Sequence, residues 1–256
     1  MIPLRDSIPS RTFPVINYLI IALCSAAFIA QLVSEERGGR IAERFGMVPA
    51  RLSDANADPV VNERVGIQTP RGIEVRTITR KLAPSPIPAW MTVVTCMFLH
   101  GGWMHFIGNM WFLYIFGDNV EDRLGHFGYA LMYLGTGIAA SLSHYFTDPS
   151  SPMPTIGASG AIAGVMGAYA WLYPHAKVQT LIPLIVIIQV IILPAPLFLG
   201  IWFALQTYSG ITAVAGGAAT GVAWWAHIGG FAAGALAAII IGRTPLGHEA
   251  VTERRF

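Results

Sequence analysis

Apolar runs long enough to cross a lipid bilayer recur along this chain of 256 residues, and no other feature constrains its fold as much. About 20 helical residues span the hydrocarbon core, where every backbone N–H and C=O must find a partner inside the protein. Composition agrees: 54% of residues are apolar and 12% are charged, against about a quarter charged in soluble domains. The chain therefore reads as an all-α polytopic membrane protein with the lipid bilayer as its surroundings. A net charge of +2 without a dense Lys/Arg run gives no nucleic-acid footprint.

Six spans are expected. The first covers Ile16 to Val33. A polar loop, residues 34–89, follows and holds most of the charged residues. Within it, Gly39 to Leu52 suits an amphipathic helix, and the alternation around Ile73–Ile78 suits a short hairpin. Pro84, Pro86 and Pro88 forbid helix and mark the return to the membrane. The second span runs from Trp103 to Phe116, with an upstream extension over Thr92–Leu99, and ends at Asp118, Glu121, Asp122 and Arg123. The third covers Phe127 to Tyr145, and the fourth opens at Ser159 and closes at Tyr173-Pro174. Between Lys177 and Gly210, Pro183, Pro194 and Pro196 break any single helix, while the β-branched run Ile185–Ile192 suits an extended chain. A fifth span over Pro196–Ser209, preceded by an interfacial or re-entrant segment, fits best. The last covers Gly221 to Gly242.

Six spans put both termini on one side, and Arg5, Arg11, Arg243, Arg254 and Arg255 mark that side as cytoplasmic. The Arg-bearing first loop, then extracytoplasmic, runs against the same rule. Arg5 and Arg11 precede an apolar run that no Ala-x-Ala-like site follows, so a cleaved signal peptide is not expected. Cys24 and Cys96 lie in or beside apolar stretches and read as two buried free thiols.

Polar residues inside spans are costly and mark function by default. Most spans hold few, and the exceptions cluster: His105 and Asn109 in the second span, Ser159 opening the fourth, and His227 in the last. Singly, each suits helix packing or interhelical hydrogen bonding. Together they suggest more. Gly157 and Gly160 flank Ser159, and a serine at a helix start has free backbone N–H groups beside it that can hold negative charge. Gly160 and Gly164 form one small-residue face, and Gly230 and Gly234 share a face with His227 at i+3 and i+7. Two such faces let helices pack at backbone distance, which would bring a serine nucleophile within reach of its general base. His105 and Asn109, at i and i+4, share a face as well. Placed opposite Ser159 they could stabilise an oxyanion; on these residues alone, interhelical glue fits equally.

The runs Phe98–Met110, Gly157-Ala158-Ser159-Gly160 and Ala226-His227-Ile228-Gly229-Gly230 resemble, in order, the three signatures of the rhomboid family of intramembrane serine proteases. The resemblance extends from Trp90 to Gly242 and takes in the Ile-Pro-Leu-Arg-Asp lead, common in bacterial members. It implies a six-transmembrane-helix bundle with a long loop between helices 1 and 2, forming one membrane domain over residues 1–256. It also implies a Ser–His dyad of Ser159 and His227 without a third acid, and an oxyanion hole of Asn109, His105 and the Ser159 N–H. The partners implied are transmembrane protein substrates, cut after a small side chain where the helix is weak; the location is a bacterial inner membrane. No cofactor or metal is expected.

Three departures stand out. Ala163 occupies the place where some members stack a tyrosine on the histidine, residues 53–84 read as an insertion, and the segment before the fifth span is elaborate. At about 1.5 Å per residue the dyad would lie roughly 10 Å below the outer surface, within reach of a water-filled cavity. The link Gly210–Gly221 would cap it, with the fifth span moving to admit substrate. The alternative is an inactive rhomboid-like protein that binds membrane helices, against which the retained Ser159 and His227 argue. A transporter would need charged residues in the last three spans, which carry none. A His-Glu-x-x-His run and a pair of intramembrane aspartates are both missing from the sequence.

Overall fold

In the computed structural model, residues 1–35, 40–69, 72–184, 187–215 and 223–241 are described. Two helices enclose a central one. Helix α6 (Ser159–Leu172) buries every residue from Gly160 to Tyr169. Its Gly/Ala-rich sequence allows this, because a helix with so little side chain can be enclosed at short interaxial distance. One wall is the second half of α5 (Trp103–Tyr145): Cβ atoms added at Gly160 and Gly164 would strike Ala140 and Thr136. The other wall is α8 (Trp224–Ile241). Helix α1 (Val15–Glu35) packs on α5, and α7 (Ala195–Ala215) lies outside α8.

Among the described residues two helices, Val15–Ser34 and Trp224–Ile241, are long and apolar enough to cross a membrane by length and composition. Expected spans two and three form one continuous run in α5, broken only at Gly125, whose φ of 69° turns the chain where an L side chain would be strained. Thr92–Leu99 does not extend that run. It is a separate short helix, α4 (Thr92–Thr95), flanked by single 3₁₀ turns and cut from α5 at Gly102, with φ 147°. The fifth segment starts at Ala195 and runs on to Ala215, longer than expected. Gly221 and Gly242, the expected limits of the last span, lie outside the described residues. So do Arg243, Arg254 and Arg255, on which the orientation argument leaned.

The all-α expectation needs correcting, because the largely helical chain carries two small sheets among its described residues. Strand β1 (Ile2–Asp6) pairs antiparallel with β4 (Lys177–Leu184), which pairs with β5 (Ile187–Pro194). Of the β-branched run expected to be extended, Ile187–Ile192 is strand and Pro194 ends it, while Ile185 and Val186 lie outside the described residues. In the first loop β2 (Val60–Thr69) and β3 (Gly72–Lys81) form a ten-residue-per-strand hairpin, Val60 opposite Lys81. The expected helix over Gly39–Leu52 is two short ones, α2 (Ile41–Phe45) and α3 (Pro49–Ser53), because Pro49 restarts the helix at its first turn; Gly39 lies outside the described residues.

Buried carboxylates tie elements together, Glu121 and Glu43 among them. Glu121, fully buried, accepts the N–H groups of Ile16 and Asn17 at 2.9 and 2.8 Å and so caps α1. In the first loop Glu43 accepts Arg80 at 2.6 Å and the N–H of Ala83 at 2.7 Å. Arg51 clamps the same corner through the carbonyls of Glu43 and Ala83. Cys24 and Cys96 are buried and unpaired.

Candidate active site

The turn into α6 is fixed from outside the helix. Met47 and Thr155 exchange backbone hydrogen bonds of 3.0 and 2.7 Å, so the first loop braces the segment ahead of the serine. Gly157 then donates to the Cys96 carbonyl at 2.9 Å with φ 135°, a conformation L side chains avoid. Ala158 follows in helical geometry, and Ser159 is the first residue of α6. Its own N–H and those of the next residues have no carbonyl a turn earlier inside the helix.

Ser159 Oγ lies 2.8 Å from His227 Nε2. The small-residue faces expected on α6 and α8 produce this. A Cβ added at Gly230 would collide with the Gly160 carbonyl, and one at Gly234 with the Gly164 carbonyl. One turn on, a Cβ at Gly167 would strike the Phe231 carbonyl. The two backbones are therefore in direct contact along three turns, and the serine–histidine spacing follows from main chain rather than side-chain packing.

Helix α7 and the first residue of α8 reach the imidazole as well. Gln206 on α7 places Oε1 2.6 Å from His227 Nδ1. The Trp202 ring lies 5.9 Å from it at 40°, and Trp224 meets it edge-on at 6.1 Å. Ala163 is buried and offers no ring, so the ring contacts to His227 come from α7 and α8 instead. The sequence reading passed over Gln206 and Trp202. The signal was there, an amide in an apolar stretch one helical turn from a tryptophan, but that stretch's proline-broken pattern obscured which face looked inward.

His105 stands on the other side of Ser159. Its Nδ1 accepts the Gly101 N–H at 3.2 Å, which leaves Nε2 as the donor in the neutral ring. The two groups flank the empty side of Gly157: a Cβ there would lie 2.9 Å from His105 Nε2 and 3.4 Å from Ser159 Oγ. Asn109, one turn on, is buried, and its Nδ2 has no hydrogen-bond partner among the described residues. Neither side chain hydrogen-bonds Ser159 among the described residues. The loop ahead of His105 is held by Gln31, whose side-chain amide exchanges hydrogen bonds of 3.0 and 2.9 Å with the backbone of His100.

A cavity of about 20 Å³ opens beside Ser159, lined by Cys96, Met97, Ser141, Ile156 and Ala226 among others. That volume admits one water-sized group. No three His, Cys, Asp or Glu side chains come together as metal ligands among the described residues.

Comparison with known proteins points one way. The family model for the Rhomboid domain matches residues 88–244, more than half of the chain. Rhomboid-like protein 11, chloroplastic, from Arabidopsis thaliana is 41% identical over 92 residues, 36% of this chain and 32% of that protein. The putative rhomboid protease YdcA of Bacillus subtilis is 34% identical over 83 residues, 32% of this chain and 41% of its own. The rhomboid protease GluP of the same organism is 36% identical over 83 residues, 32% of this chain and 16% of its own. The matched stretches span less than half the length of each of these relatives.

Proposed function

The chain belongs to the rhomboid family, and from that premise we propose that it is an intramembrane serine endopeptidase cutting in or near transmembrane segments of other membrane proteins. The observation that carries the reading is the 2.8 Å approach of Ser159 Oγ to His227 Nε2 at a helix start. Ser159 attacks the scissile carbonyl while His227 takes its proton, and His227 returns that proton to the departing amine. The negative oxygen is held by the Ser159 N–H, by His105 Nε2 across Gly157 and by Asn109 Nδ2. Asn109, a buried amide donor without a partner, gains one only when that charge forms. Gly160, Gly164, Gly230 and Gly234 are the packing residues that set the dyad's spacing.

Helix length supports a site within the bilayer yet near water. The 14 residues of α6 reach about 21 Å at 1.5 Å per residue, short of a hydrocarbon core of about 30 Å. With its C-terminal end at the inner surface, its first residue sits some 9 Å below the outer one. The chain crosses six times as one membrane domain, α5 twice about Gly125, with both termini in the cytoplasm of a bacterial cell. Residues 34–89 form the outer loop, with 53–84 as an insertion carrying the hairpin. The small cavity beside Ser159 suits cleavage after a small side chain.

The test compares wild type with Ser159→Ala and His227→Ala in bilayer vesicles, on a labelled model transmembrane substrate. Both variants are expected to lose at least about 10³-fold in rate. Equal cleavage by wild type and Ser159→Ala sinks the assignment.

A further inference from the structure

We propose that Gln206 is the positioning residue for His227, and that through it the competence of the dyad depends on the seating of α7. This rests on the reading of Ser159 and His227 as nucleophile and base, and adds a component on a third helix. A neutral imidazole has one N–H and one lone pair. The Gln206 amide oxygen faces Nδ1 at 2.6 Å and can only accept, so the proton sits on Nδ1 and Nε2 keeps its lone pair toward Ser159. The reversed amide would donate to Nδ1, put the proton on Nε2 and leave the histidine unable to take one from the serine. Only the accepting orientation makes a base. It does so with a neutral amide at the place a buried carboxylate holds in a three-membered catalytic set.

The helix that carries this amide is the outermost of those around the site. Helix α8 meets α6 through main chain, so their spacing is rigid. It meets α7 through rings: Phe203 on Phe231 at 4.7 Å, and Trp202 on Phe231 at 6.3 Å and on His227. Leu205, Tyr208 and Ile211 on the far side of α7 are exposed. An outward shift of α7 by an ångström or two would break a directional hydrogen bond while leaving the serine and histidine backbones in place. The imidazole could then turn, and its lone pair would leave Ser159. Seated, α7 arms the base; displaced, it disarms it.

Three variants decide the matter, assayed in vesicles for kcat and KM on a labelled transmembrane substrate and for labelling by a fluorophosphonate probe. Gln206→Leu, apolar and close in volume, is expected to lower kcat about ten-fold or more with KM nearly unchanged. Gln206→Glu, again an acceptor at that position, is expected to restore most of the loss. Phe203→Ala loosens α7 against Phe231 rather than touching His227. It should slow probe labelling several-fold in wild type and add nothing to Gln206→Leu. Wild-type kcat in Gln206→Leu, a loss confined to KM, or equal impairment of the Leu and Glu variants overturns the positioning role. Additive effects of Phe203→Ala and Gln206→Leu overturn the link to α7. Ser159→Ala in the same assay keeps the outcomes apart, since its cleaving normally would refute the endopeptidase reading instead.

Discussion

The α6–α8 seam and the corner of the first loop are held by opposite means. Along the seam Gly160, Gly164, Gly230 and Gly234 bring two backbones into contact, and no charged side chain takes part. At the loop corner Arg80 bridges Glu43 and Glu63, while Arg51 ties the backbone of Glu43 to that of Ala83. The difference follows from solvent. In a membrane domain the hydrophobic effect gives little between helices, so close van der Waals packing has to hold them, and glycine permits it. In water an isolated two-stranded hairpin is marginal on its own, and fixed ion pairs anchor its root. Ser159 and His227 sit on the first kind of joint, where backbone contact sets their spacing. The loop braces the turn ahead of Ser159 through Met47 and Thr155, with a joint that conditions in the water can loosen.

The sharpest way to break this contrast is to put bulk into the seam. Gly234→Leu forces a side chain into the Gly164 backbone, a misfit at the upper end of the range for overpacking, about 3 kcal/mol. Loss of measurable proteolysis and a clear drop in thermal midpoint in detergent are expected. Gly200→Leu on α7, where an added Cβ meets nothing within 4 Å, should change neither. If both are tolerated, the seam is not a backbone contact. A smaller effect, confined to chemistry, is expected of Gly157→Ala. Its φ of 135° strains any L residue, and the methyl group enters the gap between His105 and Ser159. Rate should fall about 100-fold, as when an oxyanion donor is lost, while the midpoint moves only by the equivalent of about 1–2 kcal/mol. A midpoint loss as large as that of Gly234→Leu would show Gly157 to be a packing residue like the others.

These two positions also show what the sequence could carry. The seam was legible because glycines three or four apart beside Ser159 and His227 can mean only a few things in an apolar helix. Helix α6 accordingly starts at the expected residue, and the two side chains meet at 2.8 Å. Gly157 was legible as an uncrowded residue, but its contact with His105 joins positions 52 apart and no local pattern encodes it. Gln206 went unread for a related reason: its partner is 21 residues away on another helix. The hairpin before α7 was half legible, since β-branched residues and prolines excluded a helix without saying that β1 would supply the third strand. The loop corner was the least legible. Glu43 and Arg80 lie 37 residues apart among many other charges, and only the fold selects that pair.

That corner yields the mildest prediction and the one that tests the solvent argument directly. Burial pushes the Glu43 carboxyl up, but the hydrogen bonds from Arg80 and the Ala83 N–H, with the charges of Arg80 and Arg40, outweigh it and hold the group below its ordinary value of 4.5. A carboxyl held low stabilises the fold above that ordinary value, and its contribution disappears as pH falls through the depressed folded one. Hydrogen bonds to a charged group are worth about 1.5–3 kcal/mol, and with 11% of the side chain exposed the lower end applies. Glu43→Gln should therefore lower the thermal midpoint at pH 7, and the gap from wild type should close well below pH 4.5. The other carboxyls titrate in both proteins, so the gap between the two curves isolates Glu43. A gap that persists in acid would mean that packing, not charge, anchors the root of the hairpin, and the two joints would then be of one kind.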